Sequence, residues 1–293
     1  MEIIKESFTG FDKSVLILGF FDGIHLGHRD VITSAVKFAR DNNVPAVILT
    51  FPKSPAEYFG KKVNYIYKRE KSYSIMGKLG VDYVVEQDFP KIMNLSPEEY
   101  IKKISAQYSP IAVFSGFNYT FGKNKEGNTK TLYKYAKKYN YEYFERPANE
   151  LSGQIISSTY IKTLLHAGKV QEANQLLTEP FTVSGTVIKG EQIGRTIGFP
   201  TANIIYPENI VKLPYGVYKT EVNGKKAIAN FGIRPTFKER EECLEVHIPN
   251  YDADLYGQTL EVSIIDKIRG EKKFEDIDEL KDQIIKDVEE CLK

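Results

Sequence analysis

Two of the four histidines in this 293-residue chain stand three apart, in Phe21-Asp22-Gly23-Ile24-His25-Leu26-Gly27-His28. An apolar run ending at Phe20 precedes them and a helix-like pattern follows. The segment therefore reads as a strand-to-helix turn, with Gly23 in its bend. Such a turn exposes backbone N–H groups, and the helix N-terminus adds a positive dipole. His25 and His28, placed there, can donate hydrogen bonds to a polyphosphate. A second group lies in Gly190-Glu191-Gln192-Ile193-Gly194-Arg195-Thr196-Ile197-Gly198-Phe199-Pro200-Thr201-Ala202-Asn203. Gly190, Gly194 and Gly198 allow a tight loop that brings backbone close to a ligand. Arg195 offers several donors to phosphate oxygens. The Thr201 hydroxyl and the Asn203 carbonyl oxygen are hard ligands suited to Mg2+. In an extended segment these two side chains point the same way. The loop is no P-loop, because it lacks Gly-Lys-Ser/Thr.

The surrounding elements fall into two kinds. In the first half, apolar runs at residues 15–20, 44–51, 81–86, 111–114 and 141–144 read as strands. Between them, residues 27–40, 68–79, 97–108 and 129–138 carry helical spacing. Ser96 and Pro97 mark the start of one helix. This alternation predicts a parallel sheet covered on both faces. Residues 157–166 and 170–177 read as two short helices broken at Gly168. After Pro180 the strands, at residues 181–189, 216–222, 227–230, 244–248 and 259–265, have no helices between them. Turn pairs such as Asn223-Gly224 and Tyr256-Gly257 separate them, which predicts an antiparallel barrel. An amphipathic helix over 274–292 would close one face. The expected domains are 1–179 and 180–293.

Composition narrows the function classes. Hydrophobic residues make up 42% and charged residues 27%, as in a soluble globular protein. Forty basic residues against 39 acidic ones give no general drive toward nucleic acid or anionic membrane. Cys243 and Cys291 form neither a metal spacing nor a disulfide framework, and no signal core or membrane span is present. A cytoplasmic protein acting on small molecules is expected.

The turn around His25 resembles the HxGH signature of the α/β nucleotidylyltransferases, in the form used by bacterial FMN adenylyltransferases. That superfamily has a second signature of ISSTxIR type, and this chain has Ile156-Ser157-Ser158-Thr159-Tyr160-Ile161-Lys162. The resemblance implies a Rossmann-like domain in which Phe20, Gly23, Asn118, Ser158, Thr159 and Lys162 bind nucleotide. It implies attack of the FMN phosphate on the α-phosphorus of ATP, aided by His25 and His28. Three positions depart from the pattern: Lys162 and Thr120 stand where the family has Arg, and Pro52 where it has Asp.

The string Gly194-Arg195 to Asn203 resembles the signature of riboflavin kinases. Further segments agree in order: Pro214 to Tyr218, Asn230 to Phe237, Leu244 to Ile248, Asp254 to Gly257 and Ile268 to Phe274. The resemblance implies a barrel that binds ATP, Mg2+ and riboflavin, with Thr201 and Asn203 on the metal and Glu245 as catalytic base. Strand alternation puts Leu244, Val246 and Ile248 on one face and Glu245 and His247 on the other. His247 is expected to be packed or at the surface. Arg269 would either meet the flavin edge or form a structural ion pair. Tyr215, Tyr218 and Phe237 are flavin contacts or, more often for such residues, core.

Together these segments resemble the bifunctional bacterial riboflavin kinase/FMN adenylyltransferases over nearly the whole chain. The implied activity is riboflavin to FMN and then FMN to FAD, each step with ATP. A kinase with weakened or lost adenylation is the alternative that the three departures motivate. A non-catalytic flavin binder is a third reading, for which retention of Thr201, Asn203 and Glu245 would serve no purpose.

Overall fold

The computed structural model describes every residue except 6–9, 191–192, 236–239 and 252. Glu191, Gln192, Thr236 and Phe237 of the sequence motifs therefore lie outside the described residues. The chain divides into two compact units, Met1–Val63 with Arg69–Ser157, and Asn64–Lys68 with Ser158–Lys293.

In the first unit, strands β1 (Glu2–Lys5), β2 (Ser14–Leu18), β3 (Ala46–Thr50), β4 (Tyr83–Glu86), β5 (Pro110–Gly116) and β6 (Glu142–Arg146) form one parallel sheet, in the order β1-β4-β3-β2-β5-β6. Every residue of β2 and β3 is buried, as a sheet covered on both faces requires. The longer helices are α1 (Leu26–Asp41), α2 (Arg69–Lys78), α3 (Pro97–Tyr108) and α4 (Thr129–Ala136). α3 begins as its sequence predicts. Ser96 and Glu99 form a reciprocal capping box and Pro97 occupies the first turn. β1 was not expected: four residues with a single buried side chain, Ile4, show too little pattern. From β2 the chain builds β3 and β4 on one side and β5 and β6 on the other. The strand order thus reverses between β2 and β5. Ligand crevices in open parallel sheets form beyond the carboxyl ends of strands at such a point.

The second unit holds a closed antiparallel barrel of β7 (Thr182–Ile188), β8 (Ala202–Ile205), β9 (Gly216–Val222), β10 (Lys225–Pro235), β11 (Arg240–His247) and β12 (Thr259–Arg269), in the order β7-β8-β11-β10-β9-β12. Asn223 and Gly224 both have positive φ (51° and 74°), which suits the two-residue hairpin between β9 and β10. Leu244 and Val246 face inward with Phe231, Ala229 and Tyr218, all at most 1% exposed. Tyr218 is thus core, its hydroxyl donating to the Pro214 carbonyl. β10 runs well past the expected 227–230. α5 (Ser158–His166) and α6 (Val170–Leu176) fold with the barrel. Asn174 fixes α6 there: its amide donates to Ile264 O (2.9 Å) and its oxygen accepts from Phe181 N (2.8 Å). The last helix, α7 (Ile277–Leu292), packs Cys291 and Val288 on Val217, Ile228 and Ile268. No helix among the described residues is long and apolar enough to cross a membrane.

Candidate functional sites

At the carboxyl end of β2 the chain enters a turn with three left-handed residues, Phe21 (φ 58°), Gly23 (φ 85°) and Ile24 (φ 38°). His25 then caps α1. Its Nδ1 accepts from the backbone N–H of His28 at 3.3 Å, a role that Ser, Asp or Asn fills in most helices. Gly27 leaves room for the cap. A Cβ there would lie 3.2 Å from the His25 ring, so the missing side chain lets the imidazole fold over the helix end. The two histidine rings stack, centroids 3.7 Å apart and 19° from parallel.

Burial holds the His25 imidazole down to about 4 and holds His28 well below its ordinary 6.5, His25 adding to the effect on His28. Both rings are therefore neutral near pH 7. Because Nδ1 of His25 accepts, its proton sits on Nε2, which is left as a donor. His28 Nδ1 is buried without a hydrogen-bond partner. The pair can thus supply neutral N–H donors, while the positive end of α1 supplies the field that favours phosphate. Arg146, at the end of β6, clamps Asp30 of α1 through two bonds (2.8 and 3.0 Å), which fixes the helix start. Asn118 is exposed in the turn after β5, the other strand at the reversal point, and Phe20 follows the end of β2. Ser158, Thr159 and Lys162 open α5 in the second unit. Thr159 is exposed; Ser158 and Lys162 are half-buried.

The barrel brings a second set together. Asn203 of β8 pairs in register with Glu245 of β11, and Glu245 with Asn230 of β10. Cross-strand partners share a face. This one is the outer face, because Leu244 and Val246 point inward. The row continues through Val217 of β9 to Arg269 of β12. Glu245 is half-buried, Thr201 likewise, and Asn203 is only 5% exposed. The Asn203 side-chain oxygen lies 3.9 Å from the Cys243 thiol, and its nitrogen 3.5 Å from the Thr201 carbonyl.

The glycine-rich segment is held against this row. A Cβ on Gly194 would meet the Phe199 carbonyl oxygen at 2.3 Å, so only glycine fits; Phe199 N donates back to Gly194 O at 2.7 Å. His247 Nδ1 bonds the Pro200 carbonyl (2.8 Å) and its ring meets Phe199 edge-on. His247 therefore anchors the segment, the packing role expected for it. Gly190 precedes the undescribed pair 191–192, Gly198 takes φ 91°, and Arg195 is exposed. Arg269 donates three bonds to the buried Asp287 of α7 (2.7, 2.9 and 3.1 Å) and a fourth to Gly270 O, so the ion-pair reading left open in the sequence is realised. Tyr215 bonds Glu242 at 2.9 Å.

No cluster of three or more His, Cys, Asp or Glu side chains suited to a metal occurs among the described residues. The barrel instead offers two neutral hard oxygens, from Thr201 and Asn203. That donor set fits a hard divalent cation that takes its remaining ligands from nucleotide phosphates and water.

Comparison with known proteins finds a family match in each half of the chain. The FAD synthetase family model matches residues 9–160, and the riboflavin kinase model matches residues 177–293. A bifunctional riboflavin kinase/FMN adenylyltransferase of Bacillus subtilis (strain 168) is 34% identical, over 96% of this chain and 92% of its own. Its counterpart from Listeria monocytogenes is 36% identical over 97% and 93%. A crystal structure described as a macrolide-efflux protein from Streptococcus pneumoniae superposes with TM-score 0.88 and 32% identity, over 98% of this chain and 97% of that one. Two family matches in tandem, with relatives of this similarity along the full length, place the chain in the family of bifunctional riboflavin kinase/FMN adenylyltransferases.

Proposed function

We propose that the chain phosphorylates riboflavin to FMN with one ATP and joins FMN to the AMP part of a second ATP, giving FAD and pyrophosphate. The observation that carries this reading is the row Asn203–Glu245–Asn230 beside Thr201, in a chain that also carries the His25 turn at the sheet reversal. We assign adenylyl transfer to residues 1–179 and the kinase to 180–293.

In the barrel, the terminal hydroxyl of riboflavin attacks the γ-phosphorus of ATP. The new O–P bond forms as the bond to the β-phosphate oxygen breaks and ADP leaves. An alcohol is a poor nucleophile until its proton departs, so a carboxylate within reach is needed, and Glu245 takes that proton. Thr201 and Asn203 would hold Mg2+, which supplies charge neutralisation on the transferring phosphate. Gly190, Arg195 and Gly198 line the phosphate path. Arg269, at the far end of the same row, is held by Asp287 and secures α7 on the barrel.

At the His25 turn the nucleophile is the FMN phosphate, already an anion, so no base is required. It attacks the α-phosphorus and pyrophosphate leaves. Alignment and stabilisation of the leaving group suffice. His25 and His28 donate to it, while Phe20, Gly23, Asn118, Ser158 and Thr159 seat the nucleotide. Lys162 adds charge, though as a point rather than the fork of an arginine. Cys243 and Cys291 are buried and outside any disulfide, which suits a reducing, cytoplasmic setting.

The test is incubation of the purified chain with riboflavin, ATP and Mg2+, with flavins separated over time. FMN followed by FAD is expected. In Glu245→Gln, FMN formation falls by about 100- to 10,000-fold with riboflavin still bound. Turnover within about tenfold of wild type would remove Glu245 as base.

A further inference from the structure

One cation at the carboxyl end of the parallel sheet lies outside every sequence motif. Arg69 is the first residue of α2. Its Nη2 contacts the Phe51 carbonyl (2.7 Å), the Tyr73 hydroxyl (3.0 Å) and the Thr50 hydroxyl (3.3 Å), and its Nη1 donates to the Phe20 carbonyl (3.3 Å). The Thr50 hydroxyl donates to that same Phe20 carbonyl at 3.3 Å. The guanidinium also lies over two rings, 4.7 Å from the Tyr73 centroid and 5.1 Å from that of Phe20. Tyr73 in turn donates to Glu86, the last residue of β4. One planar group thus ties together the ends of β2, β3 and β4. Thr50 is fully buried and Tyr73 nearly so.

The Phe20 carbonyl is the last anchored point before the turn. The next residue, Phe21, and then Ile24 hold left-handed backbone that side chains disfavour, at about 1–3 kcal/mol each. Such a conformation persists only where its surroundings over-determine it. Downstream, the His25–His28 stack depends on where the turn delivers the start of α1. Upstream, Arg69 and Thr50 both grip the residue from which it departs.

We infer that Arg69 is a positioning residue for adenylyl transfer: by fixing the Phe20 carbonyl to the ends of β3 and β4, it sets the turn that presents His25 and His28. This rests on the adenylyl-transfer reading above. The role belongs to the guanidinium's shape as well as its charge. An ammonium cannot reach acceptors on several elements in one plane.

The experiment uses the full chain, because its second activity controls for folding and concentration. Arg69→Lys and Arg69→Gln are assayed for FAD from FMN and ATP, and separately for FMN from riboflavin and ATP, in Mg2+. In both variants kcat for FAD is expected to fall about 100-fold, the effect of misplacing catalytic groups by about 1 Å. KM for ATP stays within about threefold, and FMN formation is unchanged. Thr50→Val, nearly isosteric, removes one of the two bonds to Phe20 and is expected to lower FAD kcat about tenfold. Full rescue by lysine would assign Arg69 a charge role and overturn the inference. So would equal loss of both activities, which marks general destabilisation. Should the Arg69 variants not fold, normal FAD turnover in Thr50→Val overturns it. A wild-type chain that makes FMN but no FAD refutes the underlying reading instead.

Discussion

The neutral histidine pair makes the His25 turn sensitive to acid, in a direction the structure fixes. His25 is 7% exposed, and burial lowers its imidazole from 6.5 to about 4. Between those pH values an unfolded chain binds a proton at His25 and the folded chain does not. Stability therefore rises with pH across the window and is lost on acidification. The full gap corresponds to about 3 kcal/mol, of which about 2–3 kcal/mol is lost between pH 7.5 and 4.5. His28 acts in the same sense. The perturbation is His25→Asn. Asparagine is a favoured N-cap whose oxygen can accept the His28 N–H in place of Nδ1, so the cap survives and the titration goes. Urea unfolding of both proteins, followed by circular dichroism from pH 7.5 to 4.5, should show wild type losing about 2–3 kcal/mol more than the variant. Parallel pH dependence would refute the reasoning. So would a His25 ring proton signal that titrates between pH 6 and 7 by NMR.

That consequence was not legible in the sequence, although the turn itself was. Spacing in Phe21 to His28 places two histidines at a helix start, because strand and helix periods are properties of nearby residues. It says nothing of how deeply the rings are covered, which depends on segments distant in the chain. The same limit hides Arg69. Its partners Phe20 and Phe51 offer backbone carbonyls, which carry no residue-type signature, and they lie 49 and 18 residues away. β1 escaped for a different reason: an edge strand of four residues needs one buried side chain and shows no period.

In the barrel, local pattern went further. Alternation in Leu244 to Ile248 assigned the right face to Glu245, since a strand's two faces differ by one residue. The sequence predicts an extended segment at Thr201 and Asn203, and Asn203 lies in β8 with Thr201 just before it. What alternation cannot supply is register. That Asn203 stands opposite Glu245, and Glu245 opposite Asn230, follows from the barrel's strand order β8-β11-β10, in which β8 and β11 are separated by two other strands in the chain. The pairing of Arg269 with Asp287 likewise needs α7 seated on the barrel, and the sequence left both roles of Arg269 open.

Two perturbations separate what holds the barrel from what works on it. Gly194→Ala puts a methyl where the Phe199 carbonyl sits 2.3 Å away, a backbone clash that must displace the segment leading to Thr201. FMN formation should fall about 10- to 100-fold while FAD formation from supplied FMN stays unchanged; unaltered kinase turnover would detach Gly194 from the site. Asp287→Asn leaves the Arg269 guanidinium with one neutral acceptor in place of a carboxylate only 4% exposed. Breaking such a buried pair costs about 3–5 kcal/mol, and a unit of this size shifts its midpoint by about 3 °C per kcal/mol. Calorimetry should thus show the barrel transition about 10 °C lower, with riboflavin affinity at low temperature nearly intact. If the midpoint moves by less than about 3 °C while riboflavin affinity collapses, Asp287 serves to aim Arg269 at the flavin and the pair is not what secures α7.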